Sequence, residues 1–284
     1  MYSELAPGTD IDALHEALFS GAIVRLRDLA EMSALVAFTR SFLEERLAPC
    51  APERTHQFEG DLAERYVGLQ REYANCGETK QLWGTLFEAV GLDPNTATRD
   101  RLALRFQRPV PASDVSNWTR GMSTVGFHRD TWGTNLYAQV NWWAPVYPVA
   151  ADRTFAILPE LFARPLENNS GDFDIVDIIE RNRGRGRPVG PGEGVPRLLQ
   201  EIDLSKARPV TIAPGEIILF SSQHAHVGIP NHTDLTRISL ETRTLRLADL
   251  ETGRGAPNVD GRARWTSYGK FQNQRHYRFS GRYQ

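Results

Sequence analysis

The first hundred residues place apolar side chains mostly at helical spacing, with one strand-like stretch between them. Thr9 or Asp10 can cap a short helix that runs to Phe19, and Gly21 ends it. Residues 22–26 are mostly apolar and β-branched, which indicates a strand. Further amphipathic stretches predict helices over 29–47, 62–73 and 80–90. Helices of this kind more often brace a sheet than carry chemistry.

From residue 101 the pattern changes to short stretches of strand period, separated by Gly, Pro and Asn turns. Strands are predicted over 102–107, 136–143, 154–158, 209–212, 216–220 and 238–245. Several short strands bounded by turns are typical of a β-sandwich or a jelly roll. The expected fold class is therefore mainly β with flanking helices, an α+β arrangement. Periodicity alone does not separate a jelly roll from another β-sandwich.

Length and composition fit a single domain. The chain has 284 residues, of which 40% are hydrophobic, and β-sandwiches with added helices often reach this size as one unit. We expect mostly helical support over 1–100, a β core over 101–250 and a separate C-terminal tail over 251–284. The core would carry an insertion over about 167–200.

Charge and cysteine content narrow the class of partner and the location. A net charge of −2 provides no electrostatic footprint for nucleic acid or for an anionic membrane. No apolar run approaches the roughly 18 residues that span a bilayer, and the first residues lack signal-peptide character. The two cysteines form no disulfide framework. We therefore expect a cytoplasmic protein whose partner is a small-molecule substrate.

Two regions depart from this compact pattern. The insertion over 167–200 is rich in Gly and Pro, and we expect it to be exposed and mobile. Arg183, Arg185 and Arg187 within it could meet an anionic substrate, although a solvated loop or a subunit contact is the simpler interpretation. The tail over 251–284 interleaves arginines with aromatic residues, so it should pack on the domain or on a partner chain. The second alternative would allow a homodimer.

The most informative short motif is His128-Arg129-Asp130. In an extended backbone, side chains at i and i+2 point to the same face, so His128 and Asp130 can grip one metal while Arg129 points away. By itself the tripeptide is weak, because a surface histidine and aspartate on a loop would look the same. A structural zinc site would use four protein ligands, usually including cysteine, and Cys50 and Cys76 are distant in sequence.

A second cluster further along the chain supplies what the tripeptide lacks. An apolar strand leads to His224 and His226, and the strand after the next turn begins with Arg237-Ile238-Ser239. Two imidazoles and one carboxylate occupy one face of an octahedron and leave three positions for a chelating co-substrate and dioxygen. A guanidinium placed just beyond them can bind both oxygens of a buried carboxylate. The four parts together predict a non-haem Fe(II) centre that uses an organic acid.

In this order the motifs resemble those of the phytanoyl-CoA hydroxylase-like branch of the Fe(II)- and 2-oxoglutarate-dependent oxygenases. That branch has an H-x-D, a distal His, a P-N turn and an R-x-S strand. Here Asn231 lies five residues and Arg237 eleven residues after His226, which is similar. The resemblance covers roughly residues 100–250 in motif order. It implies a double-stranded β-helix, which is a cupin-like jelly-roll barrel with the metal at its open end.

The resemblance also implies a role for each motif residue. His128, Asp130 and His226 would hold Fe(II), which 2-oxoglutarate would chelate through its 1-carboxylate and keto oxygen. Arg237 and Ser239 would bind the 5-carboxylate, and dioxygen would take the last position. Retention of Asp130 favours hydroxylation, because in the related halogenases a small residue at this position lets chloride bind the iron. Desaturation, ring formation and demethylation are open to the same oxidant.

Some residue assignments depend on spacing or on parity along a strand. His224 and His226 share one face, and we favour His226 as the ligand because only His226 places Arg237 at the family-like distance. His224 would then be a pocket or core residue. Arg243, the next arginine on the same strand, is expected to be a surface residue. Further candidates for holding 2-oxoglutarate or substrate are polar and lie on or near the predicted strands: Gln107, Asn135, Gln139 and Asn141.

Three functions agree with these motifs. The favoured one is a dioxygenase of the 2-oxoglutarate type that hydroxylates a small metabolite or a natural-product intermediate. A second is a cupin-like hydrolase or isomerase that binds zinc or another divalent ion through the same ligands. A third is a non-catalytic binding module. The substrate itself is not determined by the sequence, since function resides in the site and not in the fold.

Overall fold

The computed structural model describes residues 1–4, 8, 10–58, 60–111, 126–182, 184, 186–187, 195–264 and 266–267. Its α-helices are α1 (Ile11–Phe19), α2 (Ala30–Leu47), α3 (Leu62–Asn75), α4 (Gly77–Ala89), α5 (Asp130–Thr134), α6 (Ile175–Asn182) and α7 (Leu247–Thr252). All the helices predicted in the first hundred residues are confirmed. The cap of α1 is Asp10, whose carboxylate accepts hydrogen bonds from the backbone N–H groups of Asp12 and Ala13.

The strands of the described residues form two sheets. They are β1 (Ser3–Glu4), β2 (Ile23–Leu26), β3 (Ala97–Arg99), β4 (Ala103–Gln107), β5 (Val140–Pro145), β6 (Phe155–Ile157), β7 (Arg208–Pro209), β8 (Ile217–Ser221), β9 (His226–Gly228) and β10 (Arg237–Arg246). The larger sheet runs β1-β2-β8-β5-β10-β3 with β4 also paired to β10, and the smaller runs β7-β6-β9. Each strand predicted after residue 101 overlaps one of these.

Alternation along the strands gives the larger sheet two different faces. On one face Trp142, Leu219 and Leu240 pack with the apolar sides of α1 to α4. On the other face Trp143 packs in a second apolar cluster that includes Phe155 of the smaller sheet. The two sheets therefore lie on either side of this second cluster, and the helices cover the outer face of the larger sheet.

This mixed arrangement confirms the expected α+β class. In the described ranges neither sheet closes into a barrel, so the jelly roll itself stays a prediction. Among the described helices, none combines the length and the apolar character that a membrane span needs.

The insertion over 167–200 contains more regular structure than its composition suggests. Asn168 and Leu198 form an isolated antiparallel bridge, so the two ends of the insertion are joined at its base. Helix α6 lies between them, and Arg181 in its last turn pairs with Asp177 at 3.0 Å. Arg183 and Arg185 lie outside the described residues. Neither the solvated loop or subunit contact that we favour for them nor the alternative contact with an anionic substrate is therefore tested.

The described part of the C-terminal tail packs back on the domain, as expected. The backbone N–H of Ala256 donates to the carbonyl of Tyr137 at 2.9 Å, and that of Ser267 donates to Thr134 at 2.8 Å. Trp265 and the aromatic residues from Tyr268 onward lie outside the described residues.

A buried asparagine organises the turn that connects β9 with β10. Asn231 is fully buried, and its side-chain amide donates to the carbonyls of Gln107 at 3.0 Å and Leu235 at 2.7 Å. Its side-chain oxygen accepts from the backbone N–H and the hydroxyl of Thr233. One side chain thus joins the end of β4 to the turn between His226 and Arg237.

Asn231→Ala should lower the free energy of unfolding by about 2–4 kcal/mol, because it leaves buried carbonyls without a donor. Urea unfolding followed by circular dichroism measures this difference. The matched control is Asp234→Ala in the same turn, since Asp234 is exposed and its carboxylate forms an ion pair with Arg54 at 3.6 Å. We expect the control to change stability by less than about 1 kcal/mol. Equal losses in both variants would contradict the role of Asn231.

Candidate metal centre

The two candidate histidine ligands lie directly opposite each other in an antiparallel bridge. His128 and His226 exchange both backbone hydrogen bonds, each with an N···O distance of 3.0 Å. Such a pair brings its side chains to one side of the backbone, and the two ring centroids are 4.2 Å apart. The backbone of two distant segments therefore sets the separation of the imidazoles.

Asp130 joins them from the same segment as His128. Arg129 has an extended backbone with φ −113° and ψ 141°, so His128 and Asp130 point to one face as the i, i+2 spacing predicts. The chain then turns into α5 at Asp130. Ligand atoms of His128, Asp130 and His226 all lie within 4.8 Å of one another. Two imidazoles and one carboxylate at this separation can hold one divalent metal ion.

Backbone carbonyls orient both imidazoles for metal binding. Nδ1 of His128 lies 2.8 Å from the carbonyl oxygen of Gly126, and Nδ1 of His226 lies 2.9 Å from that of His224. A carbonyl can only accept, so each Nδ1 carries the proton and donates it. Each Nε2 then keeps a free lone pair, which is the tautomer that a metal requires.

Burial and neighbouring charges shift the pKa values of His226 and Asp130. Burial lowers the pKa of His226 to about 3, and the neighbouring His128 adds to that shift. Burial by itself would raise the pKa of Asp130, but the guanidinium of Arg243 is the largest of the opposing contributions, which together hold this pKa well below its usual range. Metal ligands bind in their unprotonated forms. At neutral pH these two groups are already in that form.

His224 is turned into the protein core. Its Nε2 lies 3.1 Å from the carbonyl oxygen of Gly21, its Nδ1 lies 3.2 Å from that of Ser221, and Phe162 packs on the ring. The side chain is fully buried. Both ring nitrogens therefore face backbone carbonyls away from the cluster that His226 joins, and the neutral ring donates to one of the two.

The second oxygen of Asp130 is surrounded by donors. Oδ1 faces Nε2 of His128 at 3.4 Å. Oδ2 accepts a hydrogen bond from Asn141 at 2.7 Å and a longer one from Gln139 at 3.3 Å, and Nε of Arg243 lies 3.5 Å away. Gln139, predicted as a co-substrate contact, is thus placed against the ligand carboxylate.

Arg243 lies on a strand and is partly exposed, as expected, but it is not an isolated surface arginine. Its side chain is 41% exposed, but the guanidinium lies between two carboxylates, with Nη1 3.2 Å from Asp100 and Nε 3.5 Å from Asp130. The alternation of side chains along β10 could have indicated that Arg243 lies on the same face as Arg237. Arg243 is six residues from Arg237, so both side chains share the face that looks toward the smaller sheet.

Arg129 points away from the cluster, as its position between two ligands predicts, and is completely buried. Its guanidinium donates to the carbonyls of Leu161 and Arg164 and pairs with Asp260 at 3.1 Å. Asp260 also accepts from the indole N–H of Trp132, which lies on α5. The C-terminal segment therefore holds the segment that supplies His128 and Asp130. This contact could not be predicted from the sequence, because no motif marks Asp260.

Arg237 is buried without a partner for part of its guanidinium. It is 6% exposed, and its Nε and Nη1 have no hydrogen-bond partner among the described residues. Burial lowers its pKa to about 10. The ring of Trp143 lies 5.9 Å from the guanidinium. Burying such a group is costly unless an anion satisfies it, so this part of the site is suited to a carboxylate.

The other residues predicted to contact 2-oxoglutarate do not all lie near Arg237. Gln107 lies directly opposite Arg237 in the β4–β10 pair, and its side-chain oxygen is buried without a partner among the described residues. Ser239 donates to Glu241 at 3.0 Å. Asn135 adopts a left-handed conformation at the end of α5, and its amide donates to the carbonyl of Ala263. The structure therefore brings Gln107 near Arg237 and ties Asn135 to the C-terminal segment.

Comparisons with known proteins show similarity to solved structures. No protein-family model matches the chain, and no curated protein does. The non-haem monooxygenase ThoJ in its apo form shares 16% identity and a TM-score of 0.48, over 82% of this chain and 77% of ThoJ. EvdO2 from Micromonospora carbonacea var. aurantiaca, complexed with 2-oxoglutarate, shares 17% identity and a TM-score of 0.48, over 85% of this chain and 93% of EvdO2.

The epimerase SnoN, in complex with Fe3+, α-ketoglutarate and nogalamycin RO, is also similar. It shares 14% identity and a TM-score of 0.45, over 83% of this chain and 84% of SnoN. ThoJ and SnoN are described as non-haem enzymes. Superpositions at this level carry no argument about chemistry, which depends instead on the residues of the chain.

The same substitution at His226 and at His224 should have different effects on metal affinity. His226→Gln should weaken Co(II) binding by more than about a hundredfold, because even loss of a contact outside the ligands costs 10–100-fold. His224→Gln keeps an N–H that can donate to Gly21 and should stay within about threefold of wild type. Calorimetric titration of Co(II) into the metal-free protein measures both. Equal loss in the two variants would remove the assignment of His226 as a ligand.

Proposed function

We propose that this chain is a non-haem Fe(II)- and 2-oxoglutarate-dependent oxygenase that hydroxylates a C–H bond of a small organic molecule. The observation that carries the proposal is a combination of two features. His128, Asp130 and His226 form a three-ligand cluster, and the same face of β10 presents the buried, partly unpartnered guanidinium of Arg237.

The ligand cluster fits iron by its chemistry. Two neutral imidazoles and one carboxylate are the donor set of non-haem Fe(II) oxygenases and leave three coordination positions open. The described cluster contains no cysteine, whereas structural zinc sites close with four protein ligands. The proposed ligands are therefore His128, Asp130 and His226.

Arg237 supports an organic dianion as the co-substrate. A guanidinium with unsatisfied N–H groups in a buried position favours a carboxylate, which it binds with two parallel hydrogen bonds. We assign the distal carboxylate of 2-oxoglutarate to this place. Gln107 is opposite Arg237 and is proposed as a neighbouring contact, and Ser239 follows on the same face of β10.

Iron, 2-oxoglutarate and dioxygen together supply an oxidant for an unactivated C–H bond, with succinate and CO2 as products. The chain's residues hold these components and exclude water from them. Asp130 retains the carboxylate at a position where a halide would need an open site, which favours hydroxylation over halogenation. A jelly-roll barrel in one domain is the fold that we propose around this site.

Anaerobic addition of Fe(II) and 2-oxoglutarate to wild-type protein should produce a visible charge-transfer band, because the keto acid chelates the metal. His226→Gln should abolish the band, whereas His224→Gln should retain it. Absorption spectroscopy under nitrogen measures the band. No band from the wild type, together with no iron-dependent succinate formation, would contradict the proposal and favour a zinc hydrolase, an isomerase or a binding module.

Arg237→Leu should raise the Kd for 2-oxoglutarate by about tenfold to a hundredfold, the value of a charge-assisted bidentate contact. Metal affinity should be unchanged, since Arg237 contacts none of the ligands. Calorimetry on Ni(II)-loaded protein measures both constants. The matched control is Arg246→Leu, on the same strand, whose guanidinium pairs with Asp12 outside the site. An unchanged Kd in Arg237→Leu would refute the assigned role.

A further inference from the structure

We propose that Arg243 is a positioning residue that holds Asp130 as a one-oxygen metal ligand and so keeps two positions free for the chelating co-substrate. The inference rests on the proposed function. Arg243 would affect binding of the chelating end of the co-substrate at the metal, whereas Arg237 would bind its distal carboxylate.

The two carboxylate oxygens of Asp130 have different neighbours. Oδ1 faces Nε2 of His128, one of the two candidate imidazole ligands, at 3.4 Å. Oδ2 points to the strands β5 and β10, where Asn141, Gln139 and Arg243 approach it at 2.7, 3.3 and 3.5 Å. A carboxylate whose second oxygen is held in this way cannot turn that oxygen toward the metal.

Arg243 differs from the other two donors because it is charged and is itself held in place. Its Nη1 pairs with Asp100 at 3.2 Å, and its backbone carbonyl accepts a hydrogen bond from the N–H of Asp100 at 2.9 Å. Asn141 lies directly opposite Arg243 in the β5–β10 pair, so both donors come from adjacent positions on one sheet face. Asp100 and the sheet thus fix the guanidinium before any ligand arrives.

Holding back the second oxygen of Asp130 is important because the metal has few open coordination positions. Three protein ligand atoms leave three positions, of which a 2-oxo acid needs two and dioxygen needs one. A second oxygen from Asp130 would take one of these three. Without Arg243, therefore, the carboxylate would compete with the 2-oxo acid for the metal.

This mechanism has a signature that a contact with the distal carboxylate would not produce. Pyruvate has the same chelating 1-carboxylate and keto oxygen as 2-oxoglutarate but lacks the distal carboxylate. A defect at the metal end weakens the binding of both acids by the same factor. A defect at the distal end weakens the binding of 2-oxoglutarate alone.

The experiment measures the affinity of Ni(II)-loaded protein for 2-oxoglutarate and for pyruvate by calorimetry, in wild type, Arg243→Leu, Arg243→Lys, Arg237→Leu and Arg246→Leu. We expect Arg243→Leu to weaken the binding of both acids by about tenfold. This is the lower end of the loss that follows when a group that orients a metal ligand is removed. Ni(II) affinity should stay within about tenfold of wild type because all three ligands remain. Arg237→Leu should weaken 2-oxoglutarate selectively, and Arg246→Leu should change neither.

Arg243→Lys keeps the charge but cannot span both carboxylates, so we expect an intermediate loss for both acids. This variant decides the question if Arg243→Leu fails to fold. The inference would be overturned if the Arg243 variants bound both acids with wild-type affinity, or if they lost affinity for 2-oxoglutarate alone. In either case, Ni(II) binding by the wild type would still support the metal centre. A wild-type chain that binds no Ni(II) would overturn the proposed function and this inference together.

Discussion

The candidate site depends on one antiparallel bridge between His128 and His226. Two reciprocal backbone hydrogen bonds of 3.0 Å join segments that are distant along the chain, and they fix the distance between the two imidazoles. The carbonyls of Gly126 and His224 then set the tautomer of each ring. Backbone geometry therefore sets the separation of the two candidate histidine ligands.

Around that bridge, the face of the larger sheet that looks inward mixes apolar and charged side chains. Trp143 and Phe155 exclude water, while three carboxylates face three guanidiniums: Asp100, Asp130, Glu241, Arg105, Arg237 and Arg243. A buried charge is tolerated when it is paired, and Nε and Nη1 of Arg237 are buried without a hydrogen-bond partner among the described residues. A divalent cation and a dianion that enter together leave this balance unchanged.

The local features of the chain were predictable from short-range rules. The helices α1 to α4 and the main strands follow from apolar periodicity, and Asp10 follows from capping chemistry. The extended conformation at Arg129 follows from the i, i+2 spacing of two potential ligands. The short helix α5 that begins at Asp130 was not predicted, because its five residues are too few to show a helical period. The ion pairs of Arg243 were not predicted, because its two partners lie on other segments.

The sequence by itself determined the ligand types, their order along the chain and the strand that carries Arg237, since these depend on residue identity and on local periodicity. Only the tertiary structure decided which histidine joins the cluster, since His224 and His226 have the same parity and differ only in what packs against them. It also decided that Asp260 anchors Arg129 and that Arg243 holds Asp130. These are contacts between distant segments, and no local rule specifies which distant side chain fills a given space.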